Sequence, residues 1–307
     1  MLALEVKQLR KTYPNGVEAL KGINLAVNRG DFIGLLGPNG AGKSTTISII
    51  NSLTRKTSGD VFIHGHNLET EPSLAKSKIG IVPQEFNFGI FERIKHILMN
   101  QAGYYGIDRR EAKMRAEKYL KLLELWDKRD EPGRQLSGGM KRRLMIARAL
   151  IHEPEVLILD EPTAGVDVEI RRSMWTLLRE LNAAGKTIIL TTHYLEEAET
   201  LCNRIAIINH GKIIQDTTKK QLLGLLNVET FVFDLKQPLL TPLPLSHDFK
   251  IKQIDSMTLE VECEKSHDLN SVFNYLNAHH VVVASMRNRV NRLEELFLRL
   301  TQSEQPR

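Results

Sequence analysis

Over the first 28 residues apolar and polar positions alternate. Leu2, Leu4, Val6 and Leu9, then Val17 and Ala19-Leu20, then Ile23, Leu25 and Val27 keep the two-residue period of half-buried strands. Pro14-Asn15-Gly16 marks a turn between them. The period then gives way to short unbroken apolar runs, the pattern of strands buried on both faces. Asp31-Phe32-Ile33-Gly34-Leu35-Leu36, Val156-Leu157-Ile158-Leu159 and Lys186-Thr187-Ile188-Ile189-Leu190-Thr191-Thr192 are such runs. Ser58–Gly65 reads as a turn and a strand, and Arg204–Ile214 as a hairpin turning at His210-Gly211. Helical spacing is predicted for Thr45 to Leu53, for Leu195 to Glu199, and for 90–126 with a break at Gly103-Tyr104-Tyr105-Gly106. Helix 139–152 carries Met140, Leu144, Ala147 and Ile151 on one face, with Arg142, Arg143 and Arg148 expected on a solvated one.

After about residue 226 the composition shifts. Pro238, Pro242 and Pro244 mark a loop following Phe231-Val232-Phe233. Met257–Cys263 alternates as a half-buried strand, Leu269–Leu276 is an amphipathic helix, Val281–Val283 a strand and Arg292–Leu300 a final helix. The expected division is therefore 1–226 and 227–307, the second part a small α+β domain. A length of 307 residues fits one or two domains, and a hydrophobic fraction of 42% supports a full core.

Composition narrows the classes further. No stretch approaches the ~18 apolar residues of a spanning helix, and Met1–Arg10 does not resemble a signal peptide. A soluble, cytoplasmic chain is expected. Its net charge of +5 suits work near an anionic membrane surface without requiring it. The arginines near 142 have no interleaved aromatics for base stacking, so no nucleic-acid partner is expected. Cys202 and Cys263 lack metal or redox spacing, and His64 and His66 lack a third ligand and read as surface histidines.

The chemistry begins at Gly37-Pro38-Asn39-Gly40-Ala41-Gly42-Lys43-Ser44, which fits Gly-x-x-x-x-Gly-Lys-Ser/Thr between a strand and a helix. Backbone N–H groups of such a loop cradle phosphate oxygens, and Thr45 continues it into the positive end of the helix. Lys43 is expected to reach the β- and γ-phosphates, and the Ser44 hydroxyl to ligate Mg²⁺. The strand Val156–Leu159 ends in Asp160-Glu161, delivering two carboxylates to the end of the sheet where doubly wound folds bind ligands. Asp160 would hold the metal and Glu161 would be the base or positioner for an attacking water.

Further motifs stand in order along the chain. They are Gln84 in Ile81-Val82-Pro83-Gln84-Glu85, Leu136-Ser137-Gly138-Gly139-Met140, Ala164-Gly165-Val166-Asp167, and His193 in Thr191-Thr192-His193-Tyr194. With the phosphate loop, this ordered set over residues 1 to about 220 resembles the nucleotide-binding subunit of an ABC (ATP-binding cassette) transporter. The resemblance implies an α/β P-loop cassette: a RecA-like core, an antiparallel β-subdomain and a helical subdomain at about 86–152. It implies an ATPase using ATP and Mg²⁺, with Glu161, His193 and Lys43 catalytic and Ser44, Gln84 and Asp160 on the metal. Tyr13 matches the aromatic that stacks on adenine. Ser137, Gly138 and Gly139 match the signature that contacts ATP held by the opposite copy of a homodimer. Separate membrane permease subunits are the implied partners, placing the chain peripherally on the inner face of the membrane.

Leu293–Thr301, Tyr104–Ile107 and Thr192–Glu199 are similar to the ABC-2 exporter subfamily, which handles drugs, nodulation factors and polysaccharides. An importer subunit and a non-transport soluble ABC ATPase are the alternatives. Three positions depart from the common pattern: Met140, Gly165-Val166-Asp167-Val168, and Arg93-Ile94-Lys95-His96. Phe86-Asn87-Phe88-Gly89-Ile90-Phe91 is apolar for a loop. It either pins the helical arm to the core or lines a groove for a short helix of the membrane partner.

Overall fold

The computed structural model describes residues 2–225, 228–241, 243–244, 246, 248–264, 269–289 and 292–302. Two compact units emerge, Met1–Thr217 and Thr218–Arg307. Residues 226 and 227 at the expected boundary, and Pro242, lie outside the described residues.

In the first unit the alternating N-terminal residues form β1 (Leu2–Thr12) and β2 (Glu18–Asn28). The two stretches read after the turn are one strand, bent where Gly22 sits at φ 88 and the register shifts between Leu9↔Ile23 and Arg10↔Lys21. With β4 (Ser58–Ile63) and β5 (His66–Asn67) they make an antiparallel sheet ordered β2-β1-β4-β5. A six-stranded sheet holds β3 (Phe32–Leu36), β6 (Ile79–Val82), β7 (Val156–Asp160), β8 (Thr187–Thr191), β9 (Arg204–Asn209) and β10 (Lys212–Thr218) in the order β10-β9-β3-β8-β7-β6. From β9 to β6 the neighbours are parallel. Every residue of β3 and β8 is buried, the burial that the unbroken apolar runs call for. β9 and β10 are joined at His210-Gly211, whose φ values of 45 and 77 suit a two-residue hairpin turn.

One apolar cluster joins the two sheets. Leu4, Val6, Ile23 and Leu25 of the antiparallel sheet share it with Ile33, Leu35, Ile158 and Ile189 of the parallel one, and with Ile47 and Ile50 of α1 (Lys43–Ile50). Burying each such side chain stabilises by roughly 1.5–3 kcal/mol. α2 (Pro72–Ser77) precedes β6. The helical arm is α3 (Ile94–Tyr104), α4 (Arg109–Leu122) and α5 (Gly138–Leu150). The predicted break falls between α3 and α4, where Asp108 caps α4 by accepting from the Arg110 and Glu111 amides. α6 (Val168–Ala183) buries Met174, Trp175, Leu178 and Leu181, and α7 (Leu195–Leu201) follows β8.

The second unit opens with α8 (Lys219–Gly224), ahead of the composition shift at 226. Its antiparallel sheet is ordered β12-β13-β11-β14, from β11 (Val228–Leu235), β12 (Phe249–Asp255), β13 (Thr258–Glu264) and β14 (Val283–Asn288). One face, with Phe231, Phe233, Leu259 and Val261, buries Val272 and Leu276 of α9 (Leu269–Ala278). β14 starts only at Val283, because the Val281 amide is still bonded to the Leu276 carbonyl at the end of α9. α10 (Arg292–Gln302) packs on α8. Among the described residues no helix is long and apolar enough to cross a membrane.

Candidate active site

The phosphate loop is pinned where the sheets meet. Gly42 caps α1 at φ 115, a conformation that L side chains avoid. A Cβ there would stand 2.8 Å from Leu20 Cδ2 and 2.9 Å from the Ala19 carbonyl; one on Gly37 would stand 2.3 Å from the Ile208 carbonyl. The glycines thus let the loop lie against β2 and β9. α1 has no side-chain cap and no acid in its first turn, so its N-terminal amides are left for an external anion. Lys43 is only 6% exposed, and its Nζ donates to the Gly37 (2.5 Å) and Pro38 (3.1 Å) carbonyls. Burial pushes the Lys43 ammonium down, and the Glu161 and Asp160 charges oppose this. Ser44 is exposed beside it. Tyr13 reaches the same loop, with its hydroxyl 3.3 Å from Thr45 Oγ1 and Lys11 Nζ 4.9 Å from its ring centroid.

The carboxylates arrive on β7. The Thr191 hydroxyl donates to Asp160 Oδ1 from the neighbouring strand. Glu161 stands at φ 47, and its N–H donates to the Thr191 carbonyl at 3.0 Å. A left-handed glutamate costs about 1–2 kcal/mol, and such strain concentrates at functional sites. The turn aims its side chain at two residues predicted for the site. Glu161 Oε1 lies 3.1 Å from His193 Nδ1, and Oε2 accepts from Gln84 Nε2 at 3.2 Å. The Glu161 side chain is 14% exposed and that of His193 46%, so the carboxylate is sheltered while the imidazole faces outward.

Ser137, Gly138 and Gly139 stand apart from this cluster. Ser137 is the exposed N-cap of α5, accepting from the Met140 amide at 3.3 Å. Among the described residues no hydrogen bond or ion pair ties Ser137, Gly138 or Gly139 to the Lys43 loop. α5 has no acid in its first turn, so it too offers an anion site. Asp167 caps α6 from an exposed turn, accepting from the Ile170 amide at 2.9 Å.

The basic cluster on α5 corrects the sequence reading. Arg142 is 3% exposed, not solvated. It donates to the Pro83 and Gln84 carbonyls at 2.8 Å each, and its guanidinium sits 5.1 Å from the Phe86 ring. Arg143 donates to Ser173 Oγ at 3.0 Å and pairs with Glu124, and Arg148 donates to the Asn87 carbonyl at 2.8 Å. α5 is enclosed by β6, α3 and α4, leaving no wholly free face. The signal was present in spacing: Arg142 lies three to four residues from buried Gly139, Met145 and Ile146. His64 is likewise half-buried, and burial pushes its imidazole down, whereas His66 pairs with Glu71. Among the described residues no group of three or more His, Cys, Asp or Glu side chains could hold a metal.

The donors available for a cation at the site are the Ser44 hydroxyl, the Gln84 amide oxygen and the Asp160 carboxylate. This hard-oxygen set, beside a loop built for phosphate, fits Mg²⁺ bound with a nucleotide better than a softer metal.

Comparison with known proteins agrees with this geometry. The family model described as ABC transporter matches residues 20–164. The chain is 37% identical over 305 residues to a linearmycin resistance ATP-binding protein of Bacillus subtilis, covering 97% of this chain and 98% of that one. It is 39% identical over 220 residues to Nod factor export ATP-binding protein I of Burkholderia pseudomallei, 72% of each chain. A solved dimeric ATP-binding cassette, in a post-hydrolysis state with ADP and Pi, superposes with a TM-score of 0.64 at 30% identity, covering 70% of this chain and 98% of that one. A Clostridium perfringens protein described as part of an ABC transporter complex gives 0.65 at 30% identity, covering 73% and 91%. With a phosphate loop, a paired Asp160-Glu161 and a relative matched over almost its whole length, the chain belongs to the ABC transporter family as an ATP-binding, ATP-hydrolysing subunit.

Proposed function

We propose that two copies of this chain close over two ATP molecules and drive an exporter built from separate membrane chains, from the cytoplasmic face of the membrane. The observation that carries the pairing is the division of the anion-binding elements. Lys43, Gln84, Asp160, Glu161 and His193 converge, while the Ser137 helix end is exposed and unconnected to them. A two-fold related copy would bring its own Ser137–Gly139 to the phosphate held at Lys43, and the exchange would be mutual.

In each site the Gly37–Thr45 loop binds the phosphates, with Lys43 neutralising charge on the β- and γ-groups, and Tyr13 flanks the base. Mg²⁺, held by Ser44, Asp160 and Gln84, would supply charge neutralisation. Glu161 takes the proton of the attacking water, with His193 and Gln84 orienting its carboxylate. When the γ-phosphate leaves, the tie between the copies is lost and the pair opens.

Export rather than import is supported by the relatives, named for linearmycin resistance and Nod factor export. Coupling to the permease would use a cleft of about 350 Å³ between core and helical arm. Leu53, Pro83, Asn87, Tyr105 and Arg148 line it. Leu53 and Phe91 are 76% and 74% exposed, large apolar side chains left for a partner helix. Gel filtration of Glu161→Gln protein with ATP and Mg²⁺ tests the pairing: hydrolysis is blocked, so a dimer should accumulate. Monomeric elution at high protein concentration contradicts it.

A further inference from the structure

Glu197 is the one fully buried acid among the described residues. It lies one turn along α7 from the site histidine, and its N–H donates to the Tyr194 carbonyl at 3.1 Å. Its Oε1 accepts two buried hydrogen bonds, from Thr163 Oγ1 at 2.9 Å and from Trp175 Nε1 at 3.1 Å. No Lys or Arg forms an ion pair with it among the described residues. Burial pushes its carboxyl up. A buried acid held by neutral donors is a poor source of stability, so its value must be sought in what it joins.

What it joins is specific. Thr163 lies in the segment running from Glu161 to the exposed turn at Asp167. Trp175 is on α6, whose N-cap is Asp167. One turn earlier on the same face, Arg171 stacks 4.9 Å over the Tyr194 ring, which lies 4.1 Å from the His193 ring. α6 therefore grips the first turn of α7 twice, at Tyr194 and at Glu197. Of these two residues, Glu197 is the one that also holds the chain leading from the base, through Thr163.

We propose that Glu197 is a positioning residue that binds the Thr163–Asp167 segment, α6 and His193 into one block. The histidine that orients the Glu161 carboxylate then cannot move without the Asp167 turn. This rests on the ATPase reading above and adds a link within it. Nucleotide presence at one site is thereby passed to an exposed turn, through an acid that touches neither substrate nor metal.

The test uses full-length protein carrying Glu197→Ala, Glu197→Gln or Thr163→Val. Glu197→Ala and Thr163→Val should lower kcat at least ~10-fold with KM for ATP changed less than ~2-fold, the signature of an interaction felt in the chemical step. Glu197→Gln keeps an acceptor for Thr163 and Trp175, and should recover kcat to within ~3-fold of wild type. Trp126→Phe leaves Trp175 as the sole indole. Its emission should shift when ATP is added to that variant combined with Glu161→Gln, and stay unchanged once Glu197→Ala is added. If Glu197→Ala does not fold, Thr163→Val, which removes one donor and leaves the acid, decides the matter. Wild-type kcat in the folded variants overturns the inference, as does equal loss in Glu197→Gln or a rise in KM alone. A wild-type protein without ATPase activity overturns the underlying reading and the inference together.

Discussion

Glu161 shows most directly how one residue is prepared for work. Its left-handed backbone, its sheltered carboxylate and its two partners Gln84 and His193 all follow from its place one residue past the end of β7. Replacing it with Gln keeps the shape and removes the basicity. ATP binding should stay near wild type while turnover falls ~10²–10⁴-fold, the usual weight of a general base; Lys43→Ala should instead abolish binding. Equilibrium nucleotide binding beside steady-state ATPase assays separates the two. His152 gives a stability prediction. Burial pushes its imidazole down to about 4, from 6.5, despite a 2.9 Å bond from Nε2 to the Ile79 carbonyl, and Tyr105 stacks on it at 3.7 Å. Above pH 6.5 both states are neutral there and nothing is lost. Between 6.5 and about 4 the unfolded chain binds the proton and the folded one does not, so stability falls with pH. The full loss is roughly 3 kcal/mol at 1.36 kcal/mol per pKa unit. His152→Gln should flatten the fall in thermal midpoint over that window; an unchanged profile would contradict the assignment.

At the scale of elements, α5 and the loop after β6 act as one piece. Arg142 fixes the carbonyls of Pro83 and Gln84, and Gln84 in turn holds Glu161. Hydrogen bonds to a charged group contribute about 1.5–3 kcal/mol each. Arg142→Leu should therefore lower both the thermal midpoint and kcat, because the Gln84 backbone loses its anchor. Differential scanning calorimetry and ATPase assays on the same preparation would show the two effects together, and loss of neither would separate the helix from the site. The apolar loop divides into two roles. Phe88 is half-buried, and a Cβ on Gly133 would stand 2.6 Å from its ring, so it fastens the loop to the arm. Phe91 points outward with Arg134 5.6 Å from its ring centroid. Phe91→Asp should weaken copurification with the membrane chain and leave basal ATPase near wild type, whereas Phe88→Asp should destabilise the fold. The reverse order of effects would place the coupling surface elsewhere.

For the whole molecule the decisive prediction concerns two copies. Ser137→Arg should leave ATP affinity nearly intact and stop hydrolysis, since its Ser137 serves the other copy's nucleotide. Mixed with Lys43→Ala protein, it forms pairs in which one intact phosphate loop faces one intact Ser137 helix end. Activity in the mixture above the sum of the parts supports the shared site. Loss of ATP affinity in Ser137→Arg alone would instead put Ser137 in its own copy's site.

Much of this was legible along the chain, because phosphate binding needs particular residue types at fixed spacing. The loop from Gly37 to Ser44, the Asp160-Glu161 pair and the buried parallel strands are local patterns, readable where they stand. The hairpin at His210-Gly211 was readable for the same reason, since few residues suit its turn. Tertiary structure decided what depended on contacts between segments distant in sequence. Arg142 looked like a surface charge until β6 and the arm closed around it. Glu197 looked like one more acid in Leu195-Glu196-Glu197-Ala198-Glu199 until Thr163 and Trp175 met it. α6, which brings Trp175 there, was not read from the sequence, where only the Ala164-Gly165-Val166-Asp167 motif ahead of it stood out. A local pattern states which chemistry a residue can do, whereas burial and partners come from segments tens of residues away and decide whether a charge is solvated or buried as a structural pin.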